Sequence, residues 1–480
     1  MSTWITSREI AARLVVTGAL ILESSVHLGN GDQGVYVDLP LLRDAREGLP
    51  LLQGSSLAGA LRNYLRAYEL GFTQREQRAE QRRKGPPPTL TELLFGGVKG
   101  DPDGDQSPLI VDDALAAATS AEIRDGVRID GATRTALANF KYDLELLPPG
   151  TSFPLRFELL LPAEADLAER LQGALALALN ALAKGEIPLG ARKTRGYGRC
   201  RVEAWQVATY RLRESRADLL AWLAADYPAW GYALTDDAAA SLTRIPVVTD
   251  KRQTFSIVAD FALASPLLIR SEEPLLNSDH QPDVAHLRDG QGQPIISGTS
   301  LAGALRARAA RILNTVRPDQ TQPLLDSLFG RDMHQRTGDP SASRLIVHEA
   351  QIKDGTYLVQ SRVGLDRFTG GAFDTALFNE APQIGGEAQL TLTIHEPSDA
   401  DKGLLLLLLK DLWTSDLPLG GTASIGRGRL RGRRATIRDG QTAWELSEHE
   451  GRLSLPDAAR DTLEGYVVAL HTTKELSRGA

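Results

Sequence analysis

The sequence contains a single cysteine, Cys200, and eight histidines that do not recur at metal-ligand spacing. One cysteine cannot form a disulfide within the chain or a zinc site that needs several thiolates. The longest apolar run, Leu404 to Leu409, is far shorter than the roughly 20 residues of a membrane helix. Because the N-terminus also lacks a signal-peptide pattern, we expect a cytoplasmic protein with no membrane contact.

The chain also lacks an excess of positive charge. A net charge of −7 argues against a general nucleic-acid-binding protein. The basic residues are instead concentrated in two stretches, Arg192–Arg201 and Arg427–Arg434, and neither stretch contains an acidic residue. Such local clusters indicate two sites for an anion rather than a uniformly basic surface.

The two basic stretches lie at equivalent places in a tandem duplication. The segment GSSLAGALR, which begins at Gly54, returns as GTSLAGALR at Gly298. A pair of aspartates with the same separation from each other precedes each copy, Asp38 and Asp44 in the first and Asp283 and Asp289 in the second. A repeat overrides a domain estimate based on length. We predict a first domain over 1–205, a linker with a helix over 206–253, a second domain over 254–440 and a C-terminal extension over 441–480.

Strand and helix signals follow the same order in both repeats. The segments Leu14–Leu22 and Phe255–Leu263 predict a first strand. The repeated motif then predicts an amphipathic helix, with Ser55 or Ser56 as the N-cap in one copy and Thr299 or Ser300 in the other. The full order, β-α-β-insert-β-α-β, predicts an α+β fold with a ferredoxin-like sheet in each repeat.

Glycines are interpreted in two ways. Gly59 and Gly303 lie inside the predicted helices, where glycine is unfavourable, and we interpret them as sites of close packing. The glycine loops 188–199 and 418–429 close the repeats; their N–H groups can approach an anion, and flanking arginines supply charge-assisted bonds. Tyr197 can stack on a base. The alternative is that these loops are only tight connections between strands, with arginines exposed to solvent. The presence of a second loop with the same basic character favours a polyanion site.

A possible calcium loop is less convincing. Asp101, Asp103 and Asp105 alternate as calcium ligands do, but Gln106 and Asp112 occupy the positions that require glycine and glutamate. We therefore expect a solvated turn there.

Taken in order, these motifs resemble the RAMP superfamily. The resemblance rests on the first strand, the loop with Asp-x-x-x-Leu-Arg-Asp, the repeated helix start, Leu-Phe-Gly (Leu94-Phe95-Gly96 and Leu328-Phe329-Gly330) and the late glycine loop. It covers about 10–205 and 253–435 and is strongest to backbone subunits of type III CRISPR effector complexes. The arrangement is similar to a fusion of two such subunits, as in type III-D variants.

The resemblance implies an RRM-like domain in each repeat that holds guide RNA. It also implies thumb-like hairpins, in Ile129–Tyr142 and Leu365–Phe378, that displace one nucleotide at regular intervals. Asp38 and Asp283 match the aspartate that the family needs to cut target RNA. The implied RNA contacts are Ser55, Ser56, Arg62, Arg134, Lys193, Arg195, Tyr197, Arg199, Thr299, Ser300, Arg306, Arg367, Arg427 and Arg429.

A lone aspartate suffices chemically for modest RNA cleavage. RNA supplies its own 2′-OH nucleophile and needs in-line geometry with proton removal or a bound metal. Asp38 and Asp283 can act as bases or as ligands of Mg²⁺ or another divalent cation. We interpret Asp44 and Asp289 as turn residues, while Arg43 and Arg288 are possible phosphate contacts.

Two departures from the family pattern predict weaker guide contacts at the helix starts and an altered second site. Ala58 and Ala302 stand where the family commonly has lysine, and His27 has no counterpart near Ile269. The leading hypothesis is a metal-dependent endoribonuclease subunit that binds guide RNA, target RNA and other type III subunits. The alternatives are a non-catalytic guide-binding scaffold, a cap subunit of the same complex, and a guide-processing RNase that uses His27.

Overall fold

The computed structural model describes residues 10–31, 34, 37–76, 88–98, 104–130, 133, 135–224, 248–271, 282–331, 341–449, 452–455 and 457–472. These residues form two compact units that differ from the two halves of the sequence. Unit 1 comprises the described residues of Met1–Ala121, Glu145–Ala191 and Gly198–Arg252; unit 2 comprises those of Glu122–Leu144, Arg192–Tyr197 and Gln253–Ala480. Two segments of the first repeat therefore belong to unit 2.

The elements of the first repeat and the linker follow the predicted order. The strands are β1 (Ala12–Leu22), β2 (Leu51–Leu52), β3 (Leu109–Val111), β4 (Ala114–Leu115), β5 (Glu122–Ile129), β6 (Ala136–Leu146), β7 (Ser152–Leu161) and β8 (Cys200–Tyr210). The helices are α1 (Gly54–Leu70), α2 (Leu90–Phe95), α3 (Ala165–Ala183) and α4 (Arg216–Ala224).

The sheet of unit 1 has the topology of a ferredoxin-like domain. Its strands lie in the order β3–β7–β1–β8, and each neighbouring pair is antiparallel. The helices α1 and α3 connect β1 to β3 and β7 to β8, which gives the β-α-β-β-α-β order. The two-stranded pair β5–β6 is inserted between β3 and β7. The fold predicted from the sequence is confirmed, including a hairpin at the predicted place.

The second repeat and the segment after it contain the remaining elements. The strands are β9 (Thr254–Leu263), β10 (Arg270–Ser271), β11 (Val284–His286), β12 (Ile295–Ile296), β13 (Leu345–Val347), β14 (Ala350–Lys353), β15 (Thr356–Tyr357), β16 (Gln360–Leu365), β17 (Ala372–Ala381), β18 (Gln383–Ile384), β19 (Glu387–His395), β20 (Leu430–Asp439), β21 (Thr442–His449) and β22 (Arg452–Ser454). The helices are α5 (Gly298–Val316), α6 (Thr321–Phe329), α7 (Asp399–Trp413) and α8 (Asp457–Thr472).

The main sheet of unit 2 repeats the same topology and adds an edge. β19 pairs with β13 and β14 on one side and with β9 on the other, and β20 follows β9. The hairpin β16–β17 is inserted where β5–β6 is inserted in the first repeat. β21 and β22 continue the sheet beyond β20. α8 packs closely on α7, since a Cβ atom on Gly403 would lie 2.1 Å from the Tyr466 carbonyl oxygen.

Each unit has its own apolar core between sheet and helices. In unit 1, Phe153 and Phe157 of β7 are completely buried. In unit 2, Phe261 and Trp413 pack edge to face, with ring centroids 6.0 Å apart. Complete burial of one such side chain contributes about 1.5–3 kcal/mol, so these rings are major sources of stability.

The N-cap residues of the two motif helices are not the residues that the sequence predicted. α1 begins at Gly54 with Gln53 as its N-cap, and α5 begins at Gly298 with Ser297 as its N-cap. The Ser297 hydroxyl accepts a bond from the Ser300 N–H. The predicted caps Ser55, Ser56, Thr299 and Ser300 therefore lie within the first helical turn, because each helix begins earlier than the serine pattern indicated.

The close packing at the two helix starts requires the first glycine of each motif copy, Gly54 and Gly298. A Cβ atom on Gly54 would lie 2.1 Å from the Val111 carbonyl oxygen, and one on Gly298 would lie 2.6 Å from that of Val347. A Cβ atom on Gly59 or Gly303 would meet nothing within 4 Å. The interpretation of Gly59 and Gly303 as close-packing sites is therefore wrong, and this role belongs to Gly54 and Gly298.

Candidate functional site

The two candidate catalytic aspartates lie at equivalent places beside a hairpin strand. Asp38 is exposed, and the next residue, Leu39, accepts a backbone bond from the Glu145 N–H at 3.0 Å. Asp283 is also exposed, and its Oδ2 accepts a bond from the Asn379 N–H at 2.8 Å. Glu145 belongs to β6 and Asn379 to β17, so each aspartate lies where the second strand of the hairpin returns to the domain.

Glu145 holds the loop that follows Asp38. Its carboxylate accepts the Leu41 N–H at 2.8 Å and pairs with the Arg43 guanidinium at 2.5 Å. Its carbonyl oxygen lies 2.9 Å from His27 Nδ1. His27 is buried, and a Cβ atom on Gly29 would lie only 2.4 Å from its Nε2. Arg43 and His27 therefore support the loop.

The loop after Asp283 is supported by other side chains. His286 is buried and accepts the Ile269 N–H on Nδ1 at 3.1 Å. Burial, assisted by the nearby charge of Arg288, lowers the pKa of His286 to about 4. Arg288 lies over the Tyr357 ring at 5.4 Å and donates to the Gly292 carbonyl oxygen. His286 is therefore neutral at neutral pH and supports the loop.

Asp44 and Asp289 make turn contacts, as predicted. Asp44 Oδ1 accepts the N–H groups of Arg46 and Glu47 at 2.9 and 2.7 Å. Asp289 is buried, and its Oδ1 accepts the N–H groups of Gln291 and Gln293 at 3.0 and 2.8 Å. This interpretation is confirmed, and it separates the second aspartate of each motif from the exposed first one.

The motif arginines bind the Leu-Phe-Gly segments. Arg62 pairs with Glu76 at 2.5 Å and donates to the Gly96 carbonyl oxygen at 3.1 Å. Arg306 pairs with Asp326 at 3.2 Å and donates to the Gly330 carbonyl oxygen at 2.8 Å. These contacts explain why the motif and Leu-Phe-Gly recur together. Arg62 and Arg306 have a structural role, and their RNA contact remains a prediction.

The hydroxyl groups of the two motif copies differ in exposure. Ser55 and Ser56 are exposed, whereas Thr299 and Ser300 are half-buried. Thr299 Oγ1 donates to Ser297 Oγ at 3.3 Å, and Ser297 Oγ donates to Ser300 Oγ at 3.0 Å. The first copy therefore presents its hydroxyl groups to solvent more openly than the second.

The two glycine loops have the same backbone. Arg192 and Thr422 both have positive φ, of 56° and 57°. Each loop then forms a 3₁₀ turn, Lys193–Arg195 or Ala423–Ile425. Gly428 has φ 81°, and a Cβ atom there would lie 1.9 Å from the Leu419 carbonyl oxygen. Repeated glycine in these loops is thus required by the turn itself.

The 3₁₀ turn of the first loop places a group of cations within unit 2. Arg195 donates to the Phe329 carbonyl oxygen at 3.4 Å. Burial lowers the pKa of Arg195, and the positive charges of Arg306 and Arg192 lower it further. Lys193 is exposed, and partial desolvation by its neighbours lowers its pKa. Among the described residues, no ion pair joins Lys193 or Arg195 to a carboxylate, and of these two cations only Arg195 has its pKa lowered by neighbouring positive charges.

Tyr197 and Arg427 occupy equivalent loop positions, and both are buried. The Arg124 guanidinium lies 5.7 Å from the Tyr197 ring centroid. Arg427 pairs with Glu380 at 2.8 Å and donates to Gln360 at 2.7 Å. In this structure neither side chain is open to RNA, and the predicted stacking by Tyr197 has no space for a base.

The remaining predicted contacts are exposed or outside the described residues. Arg199 is exposed and pairs with Glu23 at 3.1 Å, whereas Arg429 is exposed at the equivalent position. Arg367 is exposed in the turn of the β16–β17 hairpin. Arg134 lies outside the described residues, as do Asp101 and Asp103 of the possible calcium loop.

Several site residues carry no signal in the sequence. Glu145, Asn379 and Glu380 lie in strands, and nothing in their local pattern indicates a contact with the aspartate or glycine loops. Phe368 is 97% exposed beside Arg367. The presence of an aromatic residue in the Asp366–Gly371 segment is the one sequence signal that could have identified Phe368 as a candidate site residue.

Two negative findings apply to the described ranges alone. Within them, no three His, Cys, Asp or Glu side chains are grouped as a protein-only metal site requires. In the same part of the chain, no helix combines the length and apolar character needed to cross a bilayer.

Comparison with known proteins gives one family. No curated protein matches the chain. The family model described as the RAMP superfamily matches residues 20–201 and 260–431, which is one match for each repeat and more than half of the chain. This family consists of CRISPR-associated RNA-binding proteins. The chain therefore belongs to the RAMP superfamily, and it carries two domains of that family in tandem.

Proposed function

We propose that this chain is a backbone subunit of a type III CRISPR effector complex that binds guide RNA and cuts the complementary target RNA once in each repeat. The observation that carries the proposal is the equivalent placement of Asp38 and Asp283. Both are exposed, and each lies beside the second strand of an inserted hairpin. A hairpin that bends one nucleotide out of line would bring the adjacent ribose to the aspartate.

The chemistry needs little from the protein beyond position. The 2′-OH attacks the neighbouring phosphorus, and the leaving 5′-oxygen departs in line with it. The aspartate removes the 2′-OH proton or holds a divalent cation. Mg²⁺ is commonly bound by one or two carboxylates together with substrate phosphates, so one aspartate and the RNA backbone fit this cation. When bound, the cation would neutralise charge on the phosphate.

The basic loops support the proposed guide binding. Lys193, Arg199 and Arg429 are exposed, and Arg195 lies near the positive charges of Arg306 and Arg192 with no carboxylate partner among the described residues. The net charge of −7 makes these local sites, rather than the whole surface, the place for a phosphate backbone. The buried His27 is a poor base for a guide-processing RNase.

The experiment compares variants of the full chain, assembled with guide RNA and the other subunits of its complex. Asp38→Asn and Asp283→Asn keep the shape of the side chain but cannot serve as a base or an effective metal ligand. We expect each to abolish one cut, with a loss of roughly 10²- to 10⁴-fold, while the other cut remains. Asp319→Ala, an exposed aspartate in a 3₁₀ turn, is the matched control.

Two results would contradict the nuclease proposal. Cutting that survives at both positions in the double variant would show that other groups do the chemistry. A wild-type complex that binds the target without cutting it would identify the chain as a non-catalytic scaffold or cap subunit.

A further inference from the structure

Glu145 bonds the segment after Asp38 with both its backbone and its side chain. Its N–H donates to the Leu39 carbonyl oxygen at 3.0 Å, and its Oε2 accepts the Leu41 N–H at 2.8 Å. These two bonds fix the chain on either side of Pro40, which has no N–H of its own. Because Leu39 directly follows Asp38, Glu145 sets the course of the backbone as it leaves that aspartate.

Further bonds hold Glu145 itself in place. Its Oε1 pairs with the Arg43 guanidinium at 2.5 Å, and its carbonyl oxygen lies 2.9 Å from Nδ1 of the buried His27. Leu41 is also buried, so loss of the carboxylate would take an acceptor from an N–H group inside the domain. The carboxylate bonds depend on the side chain, whereas the bonds of the Glu145 backbone would remain after a substitution.

The second repeat has no glutamate at the equivalent place. Leu147 exchanges two backbone bonds with Val26, and Gln383 exchanges two with Leu267. These equivalent pairs align the two hairpin strands, and two residues before Gln383 stands Ala381, at the position of the first repeat's glutamate. A methyl group cannot accept an N–H or pair with an arginine, so other contacts hold the second loop.

In the second repeat the aspartate itself carries the bond to the hairpin. Asp283 Oδ2 accepts the Asn379 N–H at 2.8 Å. Arg288, which corresponds to Arg43, donates to the Gly292 carbonyl oxygen at 2.7 Å, within its own loop. The two candidate sites are therefore positioned by different contacts, and the glutamate belongs to the first site.

We infer that Glu145 is a positioning residue for the cut that depends on Asp38, and that it acts through the backbone of the loop rather than on the RNA. This inference rests on the proposed function. The Glu145 side chain is 16% exposed, and its carboxylate is already bonded to Leu41 and Arg43. Without the carboxylate the loop can shift while the hairpin strand keeps its backbone bonds. A displacement of about 1 Å can cost roughly 100-fold in rate.

The experiment measures the rates of both cuts in a single turnover, with the full chain assembled with guide RNA and the other subunits and in saturating excess over target RNA. Glu145→Ala should slow the Asp38-dependent cut roughly 10- to 100-fold and leave the Asp283-dependent cut and the affinity for target unchanged. Glu145→Gln keeps an acceptor oxygen for the Leu41 N–H, so it should recover most of the rate. Glu203→Ala removes an exposed glutamate that pairs with an arginine in the same unit. This matched control should change neither cut.

The outcomes separate this inference from the proposed function. If the wild type cuts at neither position, the proposed function fails and the positioning role fails with it. If the wild type cuts at both and Glu145→Ala leaves the first cut at its normal rate, the positioning role alone is refuted. An equal loss of both cuts would show a general effect on folding, and weaker target binding with an unchanged maximal rate would show a contact with RNA. Either result would also refute the positioning role.

Discussion

Arg62 and Arg306 are motif residues whose contacts hold the motif helix against the Leu-Phe-Gly segment. Each lies in its copy of the helix start, pairs with one carboxylate and donates to a glycine carbonyl oxygen in the Leu-Phe-Gly segment. By contrast, Asp38 and Asp283 are exposed. Recurrence alone does not distinguish these two kinds of residue, whereas burial and bonding partners do.

The buried His286 predicts a pH dependence at the residue scale. Its pKa is about 4 in the folded chain and about 6.5 when unfolded, so between these values the unfolded chain binds more protons. The stability of the wild type therefore falls as the pH drops below about 6.5, by about 2 kcal/mol at pH 5 from this group. His286→Asn keeps an acceptor for the Ile269 N–H but cannot take up a proton.

Urea unfolding of the two proteins from pH 7.5 to 4.5 measures this effect. The variant should be somewhat less stable at pH 7.5, because a smaller side chain leaves a cavity, but it should lose less stability on acidification. Parallel curves for the two proteins would show that His286 does not carry the dependence.

At the scale of elements, strands and helices were predictable because their apolar patterns are local. The first strands, the long helices and the inserted hairpins all occur where the sequence indicated them. The helix caps were misplaced, since the choice between Gly54 and Ser55 as a start depends on a contact with Val111, far along the chain. The burial of Tyr197 and Arg427 likewise depends on Arg124 and Glu380, which no local pattern connects to them.

The helix-start glycines allow a direct test of this contrast. Gly59→Ala should stabilise the chain by up to about 1 kcal/mol, because alanine favours the helix and the added methyl group meets nothing within 4 Å. Gly54→Ala should destabilise it by about 1–3 kcal/mol, because its Cβ atom would collide with the Val111 carbonyl oxygen. Gly303→Ala and Gly298→Ala form the matched pair in the second repeat.

Thermal unfolding of these four variants checks the prediction. Equal changes for Gly54 and Gly59 would mean that helix propensity alone sets the choice of glycine, and the close approach to β3 would then have no measurable cost.

For the whole molecule, the duplication and the compact units do not coincide. The hairpin segment Glu122–Leu144 and the loop segment Arg192–Tyr197 come from the first repeat, yet both belong to unit 2. Inside unit 2, Arg124 lies buried between Glu122 and Glu349, and it bonds the Glu349 carboxylate at 2.5 Å. A tandem chain of this kind links its repeats by shared packing as well as by a linker.

Arg124 therefore provides a test of that shared packing. Arg124→Ala leaves the buried carboxylates of Glu122 and Glu349 without their arginine, which costs about 3–5 kcal/mol for a buried pair. Burial already raises the pKa of Glu349, so in the variant this carboxylate should bind a proton as the pH falls. The loss of stability relative to wild type should therefore be smaller at low pH. Amide hydrogen exchange should become faster in residues 122–144 and 345–353.

The control is Arg201→Ala, which removes an exposed pair with Glu203. Its free energy of unfolding should stay within about 0.5 kcal/mol of wild type. Faster exchange confined to 10–121 would instead assign the first hairpin to unit 1, and the idea of repeats joined by shared packing would fail.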